Sequence, residues 1–128
     1  MPLHPQSRAW IEALPTVPPP DPAALRAGMR AQSVQHAGAA PDLPGVRDRS
    51  LGGVAVRVYP MGDGPRPTVI VVHGGGWVGG DLETHDVTCR RLASASGWTV
   101  VAVDYRRPPE DVFPAALEDV LAVAAALR

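Results

Sequence analysis

Residues 73–80 read HGGGWVGG and follow directly on the apolar run TVIVV at 68–72. Five of these eight residues are glycine. The β-branched run reads as a strand buried on both faces, since a half-buried strand would alternate polar and apolar residues. Glycine accepts positive φ and lets other groups approach the backbone closely, so the loop invites three readings. One is a plain connector. Another is a dinucleotide fingerprint: Gly74, Gly76 and Gly79 satisfy G-x-G-x-x-G, and a later strand ends in Asp104. Such a loop sets a pyrophosphate on a helix N-terminus and an acidic residue on a ribose. Here, however, GDLETHD (80–86) separates the glycines from the first helix signals, whereas the fingerprint opens its helix within the glycines. The third is an oxyanion loop, whose backbone N–H groups stabilise the tetrahedral intermediate of acyl transfer. A histidine before the glycines would lock that loop through a ring hydrogen bond.

Working outward, WTVVAV (98–103) reads as a second buried strand, and the segment from Thr84 to Ser96 as the helix joining the two. A parallel pair with a crossover helix follows. That helix carries a stripe of Val87, Cys89, Leu92 and Ala93. Upstream, Arg47–Leu51 and Val54–Tyr59 flank Gly52-Gly53, a hairpin signal. Val54, Val56 and Val58 alternate with Ala55, Arg57 and Tyr59, so one face is expected to be buried. Met61–Pro67 is a turn-rich loop and Arg106–Val112 another. Phe113–Arg128 predicts a helix packed through Leu117, Val120, Leu121, Ala124 and Leu127. Before the hairpin, a short helix is expected over Gln6–Leu14, broken by PTVPPPDP (15–22). A second helix runs from Pro22 to His36, with Asp21 as N-cap. The fold class is therefore α/β, divided into a Pro- and Ala-rich helical segment (1–45), which the resemblance given below makes cap-like, and an α/β segment (46–128), which it makes a partial core.

Composition narrows the function. A chain of 128 residues allows one ordinary domain, and 45% hydrophobic content is that of a globular protein. A net charge of −1 gives no basic footprint for nucleic acid. No apolar run reaches the ~20 residues that cross a bilayer. The single cysteine, Cys89, excludes an intrachain disulfide and fits a reducing compartment. With no signal-peptide pattern at the N-terminus, the expected location is the cytoplasm.

The ordered set of motifs resembles the hormone-sensitive-lipase-like carboxylesterases of the α/β-hydrolase superfamily. The resemblance rests on His73-Gly74-Gly75-Gly76-Trp77, Gly80, His85-Asp86, Val103-Asp104-Tyr105-Arg106, Pro109-Glu110, Phe113-Pro114-Ala115-Ala116 and Glu118-Asp119. It covers residues 45–128 and, more loosely, the cap-like helices. It implies hydrolysis of small-molecule carboxylic esters by serine acylation and deacylation, with no cofactor and no metal. It makes Gly75 and Gly76 the oxyanion donors, His73 and Gly74 loop supports, and Trp77 a substrate contact. It makes Asp104, Tyr105, Arg106 and Glu110 structural residues of the following loop. Arg107-Pro108 replaces the family's usual Leu-Ala, and Asp111 replaces a common His.

The family nucleophile sits in a G-x-S-x-G elbow, and no such motif occurs here. Ser94 and Ser96 lie in ASASG at a helix end. The chain alone is therefore expected to be inactive, as a truncated product or fragment. Alternatives are a non-catalytic half-hydrolase that binds a small ligand or completes its sheet with another chain, and the dinucleotide unit. Self-association through a bare edge of the TVIVV strand is a further expectation. His85 and Cys89 stand at i and i+4 but lack further metal ligands, and Cys89 as nucleophile lacks an activating base. His85 and Asp86 are read as organisers of the helix start, as is Glu83. Glu118-Asp119 is read as a solvated face, Trp10 and Trp98 as packing residues, and His4 and His36 as exposed.

Overall fold

The computed structural model describes residues 4–13 and 21–128. Leu14 and most of the proline run expected to break the first helix lie outside the described residues. The elements are α1 (Pro5–Ala13), α2 (Pro22–His36), β1 (Arg47–Leu51), β2 (Val54–Tyr59), β3 (Thr68–Val72), α3 (Leu82–Ser96), β4 (Thr99–Val103) and α4 (Ala115–Ala126).

The strands form one mixed sheet in the order β1-β2-β4-β3. β1 and β2 make an antiparallel hairpin, closed by Gly52 and Gly53 at φ 58° and 84°, the left-handed pair that two-residue hairpins require. β2 pairs antiparallel with β4, and β4 pairs parallel with β3. The parallel register sets Val72 beside Val103. Both strands therefore end at the same border of the sheet, and the loops 73–80 and 104–112 leave it side by side.

β4 is the central strand, and its alternation feeds two cores. Val101 and Val103 join Val54, Val56, Tyr105 and Val123 under α4. Val100 and Ala102 join Tyr59, Cys89 and Ala93 under α3. Helices thus cover both faces, the layering expected of a parallel α/β unit.

Several expectations are corrected. β2 is not buried on one face only: Tyr59 points into the α3 core with no exposed area. β3 is only partly buried, with Val72 43% exposed, because it is the edge strand among the described residues. α3 begins at Leu82, two residues early, because Asp81 and Thr84 close a reciprocal capping box. Its inner face is Cys89 and Ala93, while Leu92 is exposed. α4 turns Ala115, Asp119 and Val123 inward and leaves Leu117, Leu121 and Leu127 exposed. Trp10 and Trp98 are exposed rather than packed.

Asp119 explains the phase of α4. This carboxylate is buried, not solvated, and accepts the Arg106 backbone N–H at 2.8 Å and its guanidinium at 2.8–3.1 Å. It ties the end of β4 to the helix. Asp119→Ala is expected to lower unfolding stability by about 2–3 kcal/mol, the scale for hydrogen bonds to a charged partner. Urea unfolding checks this; a loss below about 0.5 kcal/mol, the range of ordinary surface substitutions, would contradict the tie.

Candidate active site

The loop 73–80 starts where β3 leaves the sheet. His73 is buried, with its ring stacked on Tyr105 at 4.2 Å between centroids. The Tyr105 hydroxyl donates to the His73 carbonyl at 2.8 Å. The His73 Nδ1 lies 3.1 Å from the Gly74 carbonyl oxygen. A carbonyl only accepts, so this contact places the ring proton on Nδ1. Burial pushes the His73 pKa below its ordinary value, opposed by the Gly74 carbonyl; Arg107 and His85 push it down and Asp104 up. The ring is a neutral brace for the loop.

The glycines then fold the loop back on itself. Gly75, Gly76 and Gly80 have φ of 138°, 60° and 81°. The Gly79 N–H donates to the Gly75 carbonyl at 2.8 Å. A Cβ on Gly75 would stand 2.2 Å from the Gly79 oxygen, and one on Gly80 2.1 Å from the Gly74 oxygen. Backbone packed this closely excludes any side chain. Among the described residues, the N–H groups of Gly75 and Gly76 donate to nothing within the chain. Trp77 also sits at positive φ (67°), is 62% exposed, and tilts over Tyr105. With Pro108, Asp111, Phe113, Ala116 and Leu117 it lines a mostly apolar groove of about 400 Å³.

Arginines brace the loop from outside. Arg107 donates to the Gly80 carbonyl and pairs with Asp104 at 3.0 Å. The replacement of leucine that the sequence alone gives no weight is thus a tie between the two loops. Arg26 of α2 donates to the Val78 and Pro108 carbonyls and to both Glu110 oxygens, all at 2.8 Å. The Arg26 hydrogen bonds hold the Glu110 carboxyl down at about 2. Arg30 pairs with Asp81, the N-cap of α3. The partners of Arg26 and Arg30 are not legible locally, since Arg26 and Glu110 are 84 positions apart and Arg30 and Asp81 51.

Other sequence candidates fall elsewhere. Asp86 is not a helix-start organiser: it accepts from Tyr59 at 2.9 Å and pairs with Arg57 and Arg90 on the α3 face of the sheet. Glu83 pairs with the same Arg57. His85 contacts the Thr84 hydroxyl at 2.9 Å. Cys89 is fully buried, and burial pushes its thiol up to about 11, the opposite of an activated nucleophile. The hydroxyls of Ser33 and Ser96 are spent on the carbonyls of Thr84 and Leu92. Among the described residues, no three His, Cys, Asp or Glu side chains are grouped to hold a metal ion. No helix among them is long and apolar enough to cross a membrane.

Two outcomes follow from this geometry. Gly75→Ala is expected to disrupt the loop, because its methyl group overlaps backbone. Gly76→Ala meets no atom within 4 Å and is expected to cost only the ~1–2 kcal/mol of left-handed strain. Thermal unfolding and amide exchange at Gly79 check the contrast, and equal effects would refute the overlap argument. The His73 contribution to stability is also expected to be constant above pH 6.5 and to fall as pH drops below it. The unfolded His73 then binds a proton that the folded one refuses, and stability rises with pH wherever the unfolded state holds more protons. Urea midpoints at about pH 7.5 and 5.5, compared with those of His73→Gln, test this; the pH dependence should shrink in the variant.

Comparison with known proteins agrees with this architecture. Residues 69–128 match the family model for the alpha/beta hydrolase fold. The chain is 46% identical over 76 residues to the esterase LipI of Mycobacterium tuberculosis, covering 56% of this chain and 24% of that protein. A hyperthermophilic esterase from the archaeon Pyrobaculum calidifontis superposes with a TM-score of 0.78 at 39% identity, over 98% of this chain and 43% of that one. A hormone-sensitive lipase from a metagenome library superposes at 0.76 with 28% identity, over 98% and 42%. The chain thus spans about a quarter of the length of the curated esterase and about two fifths of the solved ones. Together with the strand order and the doubled-back glycine loop, these matches show the chain to be a partial α/β-hydrolase fold, similar to these esterases and to that hormone-sensitive lipase.

Proposed function

We propose that loop 73–80 is the oxyanion-binding half of a serine carboxylesterase site for small-molecule esters. The observation that carries this is the pair of unengaged N–H groups on Gly75 and Gly76, held in a braced loop beside an apolar groove. In ester hydrolysis the carbonyl oxygen gains negative charge as a serine attacks. Two fixed N–H donors stabilise that charge without reorganising, and one such donor is worth roughly 100- to 1,000-fold in rate. His73 and Gly74 keep the donors in place, and Trp77 lies against the acyl or alcohol group of the substrate. No G-x-S-x-G elbow occurs in these 128 residues, so this reading takes the nucleophile and its acid and base partners from other sequence and expects the chain by itself to be inactive.

The dinucleotide reading is less well supported. The N-terminus of α3, where a pyrophosphate would sit, is filled by the Asp81 carboxylate, which accepts from Thr84 N–H at 2.8 Å. The open side of β3 supports a second reading, a non-catalytic module that completes its sheet with another chain.

The test compares two proteins. The recombinant 128-residue chain is expected to leave a fluorophosphonate probe unreacted and to hydrolyse p-nitrophenyl butyrate no faster than buffer. Protein purified from its native source is expected to be heavier and to be labelled on a serine outside these 128 residues. Labelling of the short chain would overturn the reading. A source protein with the mass of these residues, unlabelled and forming a defined dimer by light scattering, would favour the sheet-completing module.

A further inference from the structure

We propose that Arg26 is a positioning residue for the Gly76 amide, acting through a chain of two peptide groups; this rests on the oxyanion reading above. The Arg26 Nε donates to the Val78 carbonyl at 2.8 Å. The other end of that same peptide group is the Gly79 N–H, which donates to the Gly75 carbonyl at 2.8 Å. The other end of the Gly75 peptide group is the Gly76 N–H, one of the two proposed oxyanion donors. A cation therefore stands at the head of two hydrogen bonds in series whose tail is a free donor. Hydrogen bonds in series polarise one another, so the guanidinium both fixes the plane of the Gly75–Gly76 peptide and strengthens its N–H as a donor.

The remainder of α2 supports this geometry. Arg26, Met29, Arg30 and Ser33 stand at i, i+3, i+4 and i+7, one face of the helix. The Met29 sulfur lies only 2.4 Å from where a Cβ on Gly79 would be. Arg30 pairs with Asp81, and the Ser33 hydroxyl donates to the Thr84 carbonyl at 2.8 Å. The outer rim of the loop is thus held by α2 from residue 78 to 84. Glu110 and the Pro108 carbonyl take three more of the guanidinium donors, which fixes the angle at which Nε meets Val78. Lysine, with one compact ammonium, cannot serve all three acceptors.

The test is amide NMR on the 128-residue chain with the variants Arg26→Met, Arg26→Lys and Glu110→Gln. Both Arg26 variants are expected to speed exchange at Gly79 about ten-fold. They are also expected to move the Gly76 amide proton upfield, with the Val101 amide of β4 unchanged. Glu110→Gln leaves the Val78 bond in place and is expected to change Gly79 and Gly76 far less. Arg26→Lys keeps a charge opposite Glu110, so it serves where Arg26→Met fails to fold. Unmoved Gly79 and Gly76 resonances in a folded Arg26 variant would overturn the proposal, as would equal changes in Glu110→Gln. Exchange at Val101 rising with that at Gly79 would also overturn it, by reducing Arg26 to a general stabiliser. None of these readouts involves an ester, so a failure here is separate from a failure of the labelling experiment.

Discussion

The parallel register of β3 and β4 is the constraint on which the rest depends. A parallel pair cannot be closed by a tight turn, so the chain must cross over a sheet face, and α3 is that crossover. The same register brings Val72 and Val103 side by side. The glycine loop and the Asp104–Val112 loop therefore rise together. Tyr105 then reaches His73, Arg107 reaches Gly80, and Trp77 meets Phe113 across the groove. A shift by one residue would turn Tyr105 and His73 to opposite faces.

Electrostatics does the joining that apolar contact does not. The chain has no lysine, and all its basic side chains are arginine. Four of them work as multi-point connectors. Arg26 links α2 to both loops, Arg57 links β1, β2 and α3, Arg106 links β4 to α4, and Arg107 links the loops to each other. A planar guanidinium serves several acceptors at fixed angles, which an ammonium does not. In a fold where α1 and α2 bury no residue at all, such connectors set where the helix α2 lies.

Much of the fold was legible because its signals are local. Gly52-Gly53 between alternating valines marks a hairpin, and the β-branched runs mark β3 and β4 to within a residue. The glycine loop was legible because few other structures need five glycines after a strand. What was not legible is long-range. The phase of α4 misleads because hydrophobicity points to Leu117 and Leu121, whereas the helix is oriented by a carboxylate, Asp119, that Arg106 requires. Tyr59 keeps the strand's alternation yet is buried, because α3 covers the second face as well and its Asp86 accepts the Tyr59 hydroxyl. For Arg26 the one available signal was the helix itself: Arg26, Met29, Arg30 and Ser33 share a face that is too polar for a core and too regular for solvent.

The strand order also has a consequence for synthesis. Of the four described strands β4 is made last, yet it is the one both other parts of this sheet pair with. Until residues 99–103 leave the ribosome, the β1–β2 hairpin and β3 each carry an open edge with no partner in the nascent chain. The hairpin and β3 are therefore joined in a single event, when β4 inserts between two waiting edges. During that interval the chain is most exposed to aggregation and most dependent on whatever shields unpaired strands.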